Sequence, residues 1–209
     1  MPQATYTLET PVLAGRASLS LAGAFGNMDV SADATLTGPR GNVLRANPSD
    51  SLFSGSDLYP MASLRWNDGN HNYMTYVMAD VPVGGYEPGR LANIGINHWA
   101  VDGGGGYTYF NPKNGRELSA VVGFTYNFEN PDTHYQNGID FHLDWGASQF
   151  LSEHWHVGLV GYVYQQLTGD SGSGATLGDF KSRVMGIGPQ VGYFFELWER
   201  KWYGNVKAY

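Results

Sequence analysis

A formal charge of −7 over 209 residues, with no basic cluster, excludes a nucleic-acid partner, and charged side chains at 15% fall well short of the roughly 25% usual for soluble domains. Cysteine is absent, which excludes a disulfide framework and any thiolate metal site. No apolar run reaches the roughly 18 residues of a transmembrane helix, and the alternating strands of a transmembrane barrel remain open because their composition averages to mildly polar.

Taken in chain order, apolar and polar residues alternate at the period of two that puts successive side chains on opposite faces of a strand. Thr5 to Phe25 reads as one kinked strand or two short ones, interrupted by Pro11 and Gly15. Gly26-Asn27 reads as a tight turn, and Met28 to Thr37 as a strand with Val30, Ala32, Ala34 and Leu36 against Asp29, Ser31, Asp33 and Thr35. A long polar segment covers 38–59. Met61 to Trp66 reads as a strand, 67–70 as a tight turn, and Asn72 to Val83 as a strand with Tyr73, Val77 and Val81 opposite Asn72, Tyr76 and Asp80. After a loop at 84–91, Ile94 to Phe110 reads as a long strand weakened by the four glycines Gly103 to Gly106. A turn at 112–115 leads to Leu118 to Phe128, where alternation is cleanest.

Beyond a loop at 129–137, the stretch from Gly138 to Leu167 forms two strands around a break at 151–153. In the first, Ile139, Phe141, Leu143 and Trp145 oppose Asp140, His142 and Asp144. In the second, Trp155, Val157, Leu159 and Val163 oppose His154, His156, Tyr162, Tyr164 and Gln166. A Gly/Ser/Asp-rich loop at 168–179, a strand from Phe180 to Phe195, a turn at 196–201 and a strand from Trp202 to Tyr209 complete the chain.

Short connections (26–27, 67–70, 112–115, 151–153, 196–201) alternate with long ones (38–59, 84–91, 129–137, 168–179). Up-and-down strands therefore gather the short turns on one rim and the long loops on the other, as in outer-membrane barrels. The apolar faces carry Tyr73, Trp145, Trp155, Tyr193 and Phe195 toward strand ends, where interfacial aromatic girdles belong. The opposite faces mix Gly123, Gly186 and Gly188 with Asp, His, Gln and Thr, a pattern that suits a lumen with room for passage. The reading is an all-β protein, an antiparallel up-and-down transmembrane β-barrel over residues 1–209 as one domain, with about ten strands visible of about twelve.

Three stretches also resemble a known family: NPDTHYQNGIDFHLDW, HVGLVGYVYQQLTGDSGSGATLGDFKSRVMGIGPQVGY and LANIGINHWAVDGGGGYTYFNPKNG. They are similar to the family associated with the meta-pathway of phenol degradation. The resemblance implies an outer-membrane β-barrel transporter and brings no catalytic residues with it. Family chains carry a leader and continue past a last strand pair, whereas MPQATYTLETP lacks the basic and apolar regions of a secretory signal. The chain accordingly reads as truncated at both ends.

The expected function is passive passage of small hydrophobic or aromatic, phenol-like compounds through the bacterial outer membrane, with lipid and solute as partners, no cofactor and no catalytic residues. Candidate solute contacts are Asp140, His142, Asp144, Tyr162, Tyr164, Gln166 and Thr125, with Gly123, Gly186 and Gly188 clearing the lumen. The pairing across 151–153 sets Tyr162, Tyr164 and Gln166 beside the Asp140–Asp144 row, where carboxylate and imidazole could bond a hydroxyl and phenol rings could stack. The bland counterpart is a network that satisfies buried polar groups and holds register. The alternatives are a non-conducting structural or adhesive barrel and a lipase-like hydrolase built on Ser148, His142 and Asp144. His154 and His156 at i, i+2 could contribute to a zinc site only with a third ligand.

Overall fold

The computed structural model describes residues 1–209 and consists of strands and their connections. The strands are β1 (Gln3–Thr7), β2 (Arg16–Ala22), β3 (Phe25–Ser31), β4 (Ala34–Thr37), β5 (Val43–Ala46), β6 (Ser49–Gly55), β7 (Tyr59–Asp68), β8 (His71–Asp80), β9 (Ala100–Asn111), β10 (Arg116–Asn127), β11 (Asp140–Phe150), β12 (Trp155–Gln166), β13 (Arg183–Leu197) and β14 (Arg200–Lys207). Ten of them form one sheet in the order β1-β2-β7-β8-β9-β10-β11-β12-β13-β14, every neighbouring pair antiparallel. The order is linear: no ladder joins β14 to β1.

Burial in this sheet is inverted relative to a water-soluble domain. Four hydrophobic residues are buried, against thirteen polar or charged ones. Phe124, Leu159 and Ile187 stand 51%, 50% and 62% exposed, while Asp140, His156 and Gln166 on the opposite face retain 7%, 4% and 3%. A face of Leu, Ile, Val and Phe left open along strand after strand needs an apolar medium, because exposing it to water forfeits about 25 cal/mol for each Å². A membrane-spanning sheet supplies that medium, and its ladders satisfy the backbone groups that lipid cannot.

Aromatic side chains border the apolar face at two levels. Near the short turns, Tyr73 packs on Tyr107, Trp155 on Tyr193 with ring centroids 4.3 Å apart, and Phe195 on Trp202. Near the long loops, Phe124 meets Phe141, and Tyr126 meets Phe128. Trp145 departs from the expectation of a strand-end position: it lies in mid-strand on β11, opposite Gly161, where a Cβ would strike its indole.

The first third of the chain also departs from the sequence reading. Gly26 and Asn27 are not a turn but part of β3, which pairs with β6, while β4 pairs with β5. Met28 to Thr37 is therefore not a strand of the large sheet. Residues 23–58 form a two-stranded arm inserted between β2 and β7. The count of ten is kept because the segment from Thr5 to Phe25, expected as one kinked strand or two short ones, is two, β1 and β2. They are joined by a hairpin in which Val12 bridges Gly15 and Leu13 and Ala14 take φ of 50° and 59°. A two-residue turn with both central residues at positive φ matches strand twist, but Asn-Gly normally fills it. Leu-Ala gives no such signal. Trp198-Glu199, between β13 and β14, repeats the geometry with φ of 52° and 59°.

The rim asymmetry survives both changes. Connections 8–15, 69–70, 112–115, 151–154 and 198–199 lie on one rim, and 23–58, 81–99, 128–139 and 167–182 on the other. The arm is fixed to the 81–99 loop through two carboxylates. Asp57, 1% exposed, accepts the backbone N–H of Gly84 at 2.7 Å and of Ile96 at 2.8 Å. Asp50 takes a forked pair from Arg90, Nη2 to Oδ1 at 2.9 Å and Nε to Oδ2 at 3.1 Å. That fork holds the Asp50 carboxyl well below the usual carboxylate range and raises Arg90.

Leu159→Arg tests the medium. A charge on this exposed position should cost nothing measurable in water but about 2–4 kcal/mol near a bilayer midplane. The expected outcome is a lower midpoint for urea unfolding in liposomes; an unchanged midpoint would contradict an apolar surround.

Candidate functional site

The register of β10, β11 and β12 decides which inward side chains meet. Asp140 faces Thr125 on one side and Gln166 on the other; His142 faces Gly123 and Tyr164; Asp144 faces Val121 and Tyr162. The seven candidate contact residues thus share one patch of the inner face. All of them come from the alternating stretches that the sequence marks as strands with a polar side.

Two hydrogen-bond clusters occupy this patch. In the first, His142 Nε2 lies 2.9 Å from Asp102 Oδ2 and 3.3 Å from the Tyr76 hydroxyl, and Thr125 Oγ1 donates to the same Asp102 oxygen at 2.6 Å. The Asp102 side chain is only 6% exposed; His142 and Thr125 partner its Oδ2, while Oδ1 is buried without a hydrogen-bond partner. In the second, Asp140 accepts from Tyr164 Oη at 2.6 Å and from Asn127 Nδ2 at 2.8 Å. Gln166 Nε2 donates to Asp170 Oδ1 at 2.6 Å, and Tyr135 Oη donates to the other oxygen of Asp170. This cluster ties the 128–139 loop to the 167–182 loop. The Asp170 acceptor keeps the Tyr135 phenol protonated and pushes it up to about 12.

The three expected lumen-clearing glycines make room for neighbouring groups. A Cβ at Gly123 would fall on the Tyr76 hydroxyl and the His142 imidazole, one at Gly186 on the Tyr162 ring, and one at Gly188 on the Ala208 carbonyl. Gly104 receives Tyr76 in the same way. Tyr76 on β8 can therefore reach His142 on β11 by lying along the wall over the two glycines between them.

Several participants were not singled out by sequence reading. Asp102 stands at the edge of the four-glycine run, where alternation gives no contrast, Asn127 sits at the end of β10, and Asp170 lies within the 167–182 loop. An aromatic cluster inside the short-turn rim was missed as well. Phe110 packs on Phe150, Phe150 stacks on His156 and Phe194, and Tyr203 stacks on Phe194 with centroids 4.5 Å apart. Its members come from five separate strands, so only the register brings them together.

The hydrolase constellation is not assembled. Ser148 accepts from Gln190 Nε2 at 2.9 Å. It is separated along β11 from His142, whose partners are Asp102 and Tyr76. His154 and His156 diverge: the His154 ring faces Tyr193, and His156 Nε2 pairs with the Tyr203 hydroxyl at 2.9 Å.

Comparison with known proteins bears on this architecture. The family model described as "Putative MetA-pathway of phenol degradation" matches residues 1–207. The chain belongs to this family. No curated protein matches its sequence. Among solved structures, an outer membrane channel from Pseudomonas putida F1 is similar with a TM-score of 0.71 at 12% identity, over 93% of this chain and 69% of that one. At that identity the likeness is one of fold, and the fold of this phenol-degradation family member is that of an outer-membrane channel barrel.

His142→Leu leaves the Asp102 carboxylate short of a buried partner, a loss of about 1–3 kcal/mol, and should lower the unfolding midpoint in detergent more than Thr125→Val does. The loop tether gives a separate pH signature. Because the Tyr135 phenol is raised above its ordinary 10.0, the contact is fully present below pH 10 and is lost as pH rises through about 12. Phenolate absorbance should show one fewer late-titrating tyrosine in Tyr135→Phe than in the parent.

Proposed function

We propose that this chain is a channel of the bacterial outer membrane, a single barrel domain through which small hydrophobic or aromatic compounds pass passively. The observation that carries the reading is the inverted burial: an apolar outer face bordered by aromatics encloses an inner face of Asp, His, Tyr and Gln. The family description supports phenol-like compounds as the class. The similar structure, itself described as an outer membrane channel, supports the location.

Selection in such a lumen rests on width and hydrogen bonding. Most of the polar patch is already partnered internally, which leaves Asp144 and Tyr162, neither of which hydrogen-bonds to another side chain or to the backbone. A phenolic hydroxyl can donate to the Asp144 carboxylate while its ring stacks on Tyr162. Farther along, Phe110, Phe150, Phe194 and Tyr203 offer aromatic faces toward the short-turn rim. Passage over these surfaces needs no conformational energy source. The position of Tyr76, along the wall above Gly104 and Gly123, favours a clear lumen over a barrel filled by its own side chains.

The test has two stages. Purified protein should migrate as a heat-modifiable band, faster before boiling than after, and proteoliposomes should take up phenol faster than protein-free vesicles. Gly123→Val pushes Tyr76 and His142 off the wall, so it should slow uptake several-fold while the heat-modifiable band persists. Uptake equal to that of empty vesicles, with the band intact, would replace the channel by a structural barrel.

A further inference from the structure

The inner face carries two cations in a place the polar patch does not explain. Arg16 on β2 and Arg65 on β7 are direct register partners, on the same face as Ser18, Ser20 and Ser63. Like charges set directly opposite one another across an antiparallel pair are destabilising. Neither guanidinium has a carboxylate within ion-pair distance; the ion pairs of the chain involve Arg90, His134 and His142 instead. A paired, unneutralised guanidinium couple on a concave wall calls for an anion between its two members.

Both arginines line a cavity of about 810 Å³, together with Met74, Val121, Asn72 and Thr108. The β1–β2 hairpin closes one side of it, fixed by Trp66 Nε1, which donates to the Leu13 carbonyl at 3.0 Å. Glu9 is the only acidic residue on the wall. Guanidinium groups present planar forks that match the two oxygens of a carboxylate. Beside them, Met74 offers an unbranched, polarisable surface that adapts to a flat apolar body. The volume falls within the range typical of small-molecule sites.

We propose that Arg16 and Arg65 form a binding site for small aromatic carboxylates, with the carboxylate held between the two guanidinium groups and the ring against Met74 and Val121. The site gives the channel a second solute class, acids as well as neutral phenols, and in that use it rests on the channel reading. Binding itself can be measured without transport.

The experiment is equilibrium binding of radiolabelled benzoate to the full chain in a non-ionic detergent, against benzyl alcohol as the uncharged analogue and inorganic phosphate as a competing anion. Benzoate should bind saturably, at least about tenfold more tightly than benzyl alcohol, and Arg16→Gln or Arg65→Gln should each weaken it by about tenfold. Arg65→Lys, which keeps the charge and loses the fork, should fall between the two. Heat-modifiable migration of each variant shows that the barrel is intact. Equal binding of benzoate and benzyl alcohol, no saturable benzoate binding, or glutamine variants that bind like the parent would each overturn the site. Phosphate displacing benzoate at equal concentration would also overturn it, reducing it to an unspecific anion patch. Phenol uptake with no benzoate binding removes the site and keeps the channel; benzoate binding with no uptake of either solute keeps the site and removes the channel.

Discussion

The constraint on which the rest of this structure depends is that its apolar side chains point away from the enclosed face. In water such a sheet would turn over, since strands with period-two alternation can present either face to a core. Lipid fixes the choice, and it also demands that each backbone N–H and C=O find a partner within the sheet. The long, uninterrupted ladders from β7 to β13 answer that demand. Sequence irregularities are confined to the connections, above all to the arm at 23–58, where polar backbone can meet solvent.

Once the polar side chains are turned inward, they compete for the same enclosed space, and the inner wall is organised around that competition. Asp102 needs donors and takes them from Thr125 and His142; His142 is held beside Tyr76. This geometry is possible only because Gly104 and Gly123 have no side chains. The glycines and the buried carboxylate are thus parts of one device. The glycines let Tyr76 reach the imidazole along the wall, and the hydrogen bonds to Oδ2 offset part of the cost of burying the Asp102 charge. A wall built in this way is rigid where it is partnered, and the groups it leaves without a side-chain partner, chiefly Asp144, Tyr162 and the two arginines, are the ones proposed to meet solutes.

Much of this was legible in the sequence because strand alternation reports the two faces directly. The Asp140–His142–Asp144 row and its neighbours Tyr162, Tyr164 and Gln166 follow from alternation plus one short turn, and the register places them as that reasoning requires. What was not legible involves either unusual turn chemistry or contacts between distant strands. Leu13-Ala14 makes a hairpin turn without the residues that announce one, so the sequence leaves Thr5 to Phe25 open between one kinked strand and two short ones. Met28 to Thr37 alternates as cleanly as a barrel strand, and only its pairing separates it from the sheet. The strand wrongly read at Met28 to Thr37 is offset by the second strand within Thr5 to Phe25, so strand count and rim parity come out the same. Agreement in those totals was therefore weaker support than the inverted burial.

The charges of the inner wall follow an order that the sequence does not display. Across the ladder, one row of register partners runs Arg16, Arg65, Met74, Gly106, Val121, Asp144, Tyr162 and Gly186. Cations occupy one end of the row, and a carboxylate with a phenol occupies the other. The three residues between them carry no charge. Were the sheet closed into a barrel, the ends of such a row would face one another, setting hydrogen-bond donors on one side of the lumen and an acceptor on the other. Opposed charges across a low-dielectric space create a transverse field, and a molecule with a polar head and an apolar ring lowers its energy by aligning with it. Under the proposed function, a neutral phenol would point its O–H toward Asp144 and an acid its oxygens toward the arginines. Discrimination would then depend on the functional group carried by the ring more than on the size of the ring, because both heads would pass the same Met74, Gly106 and Val121 surface.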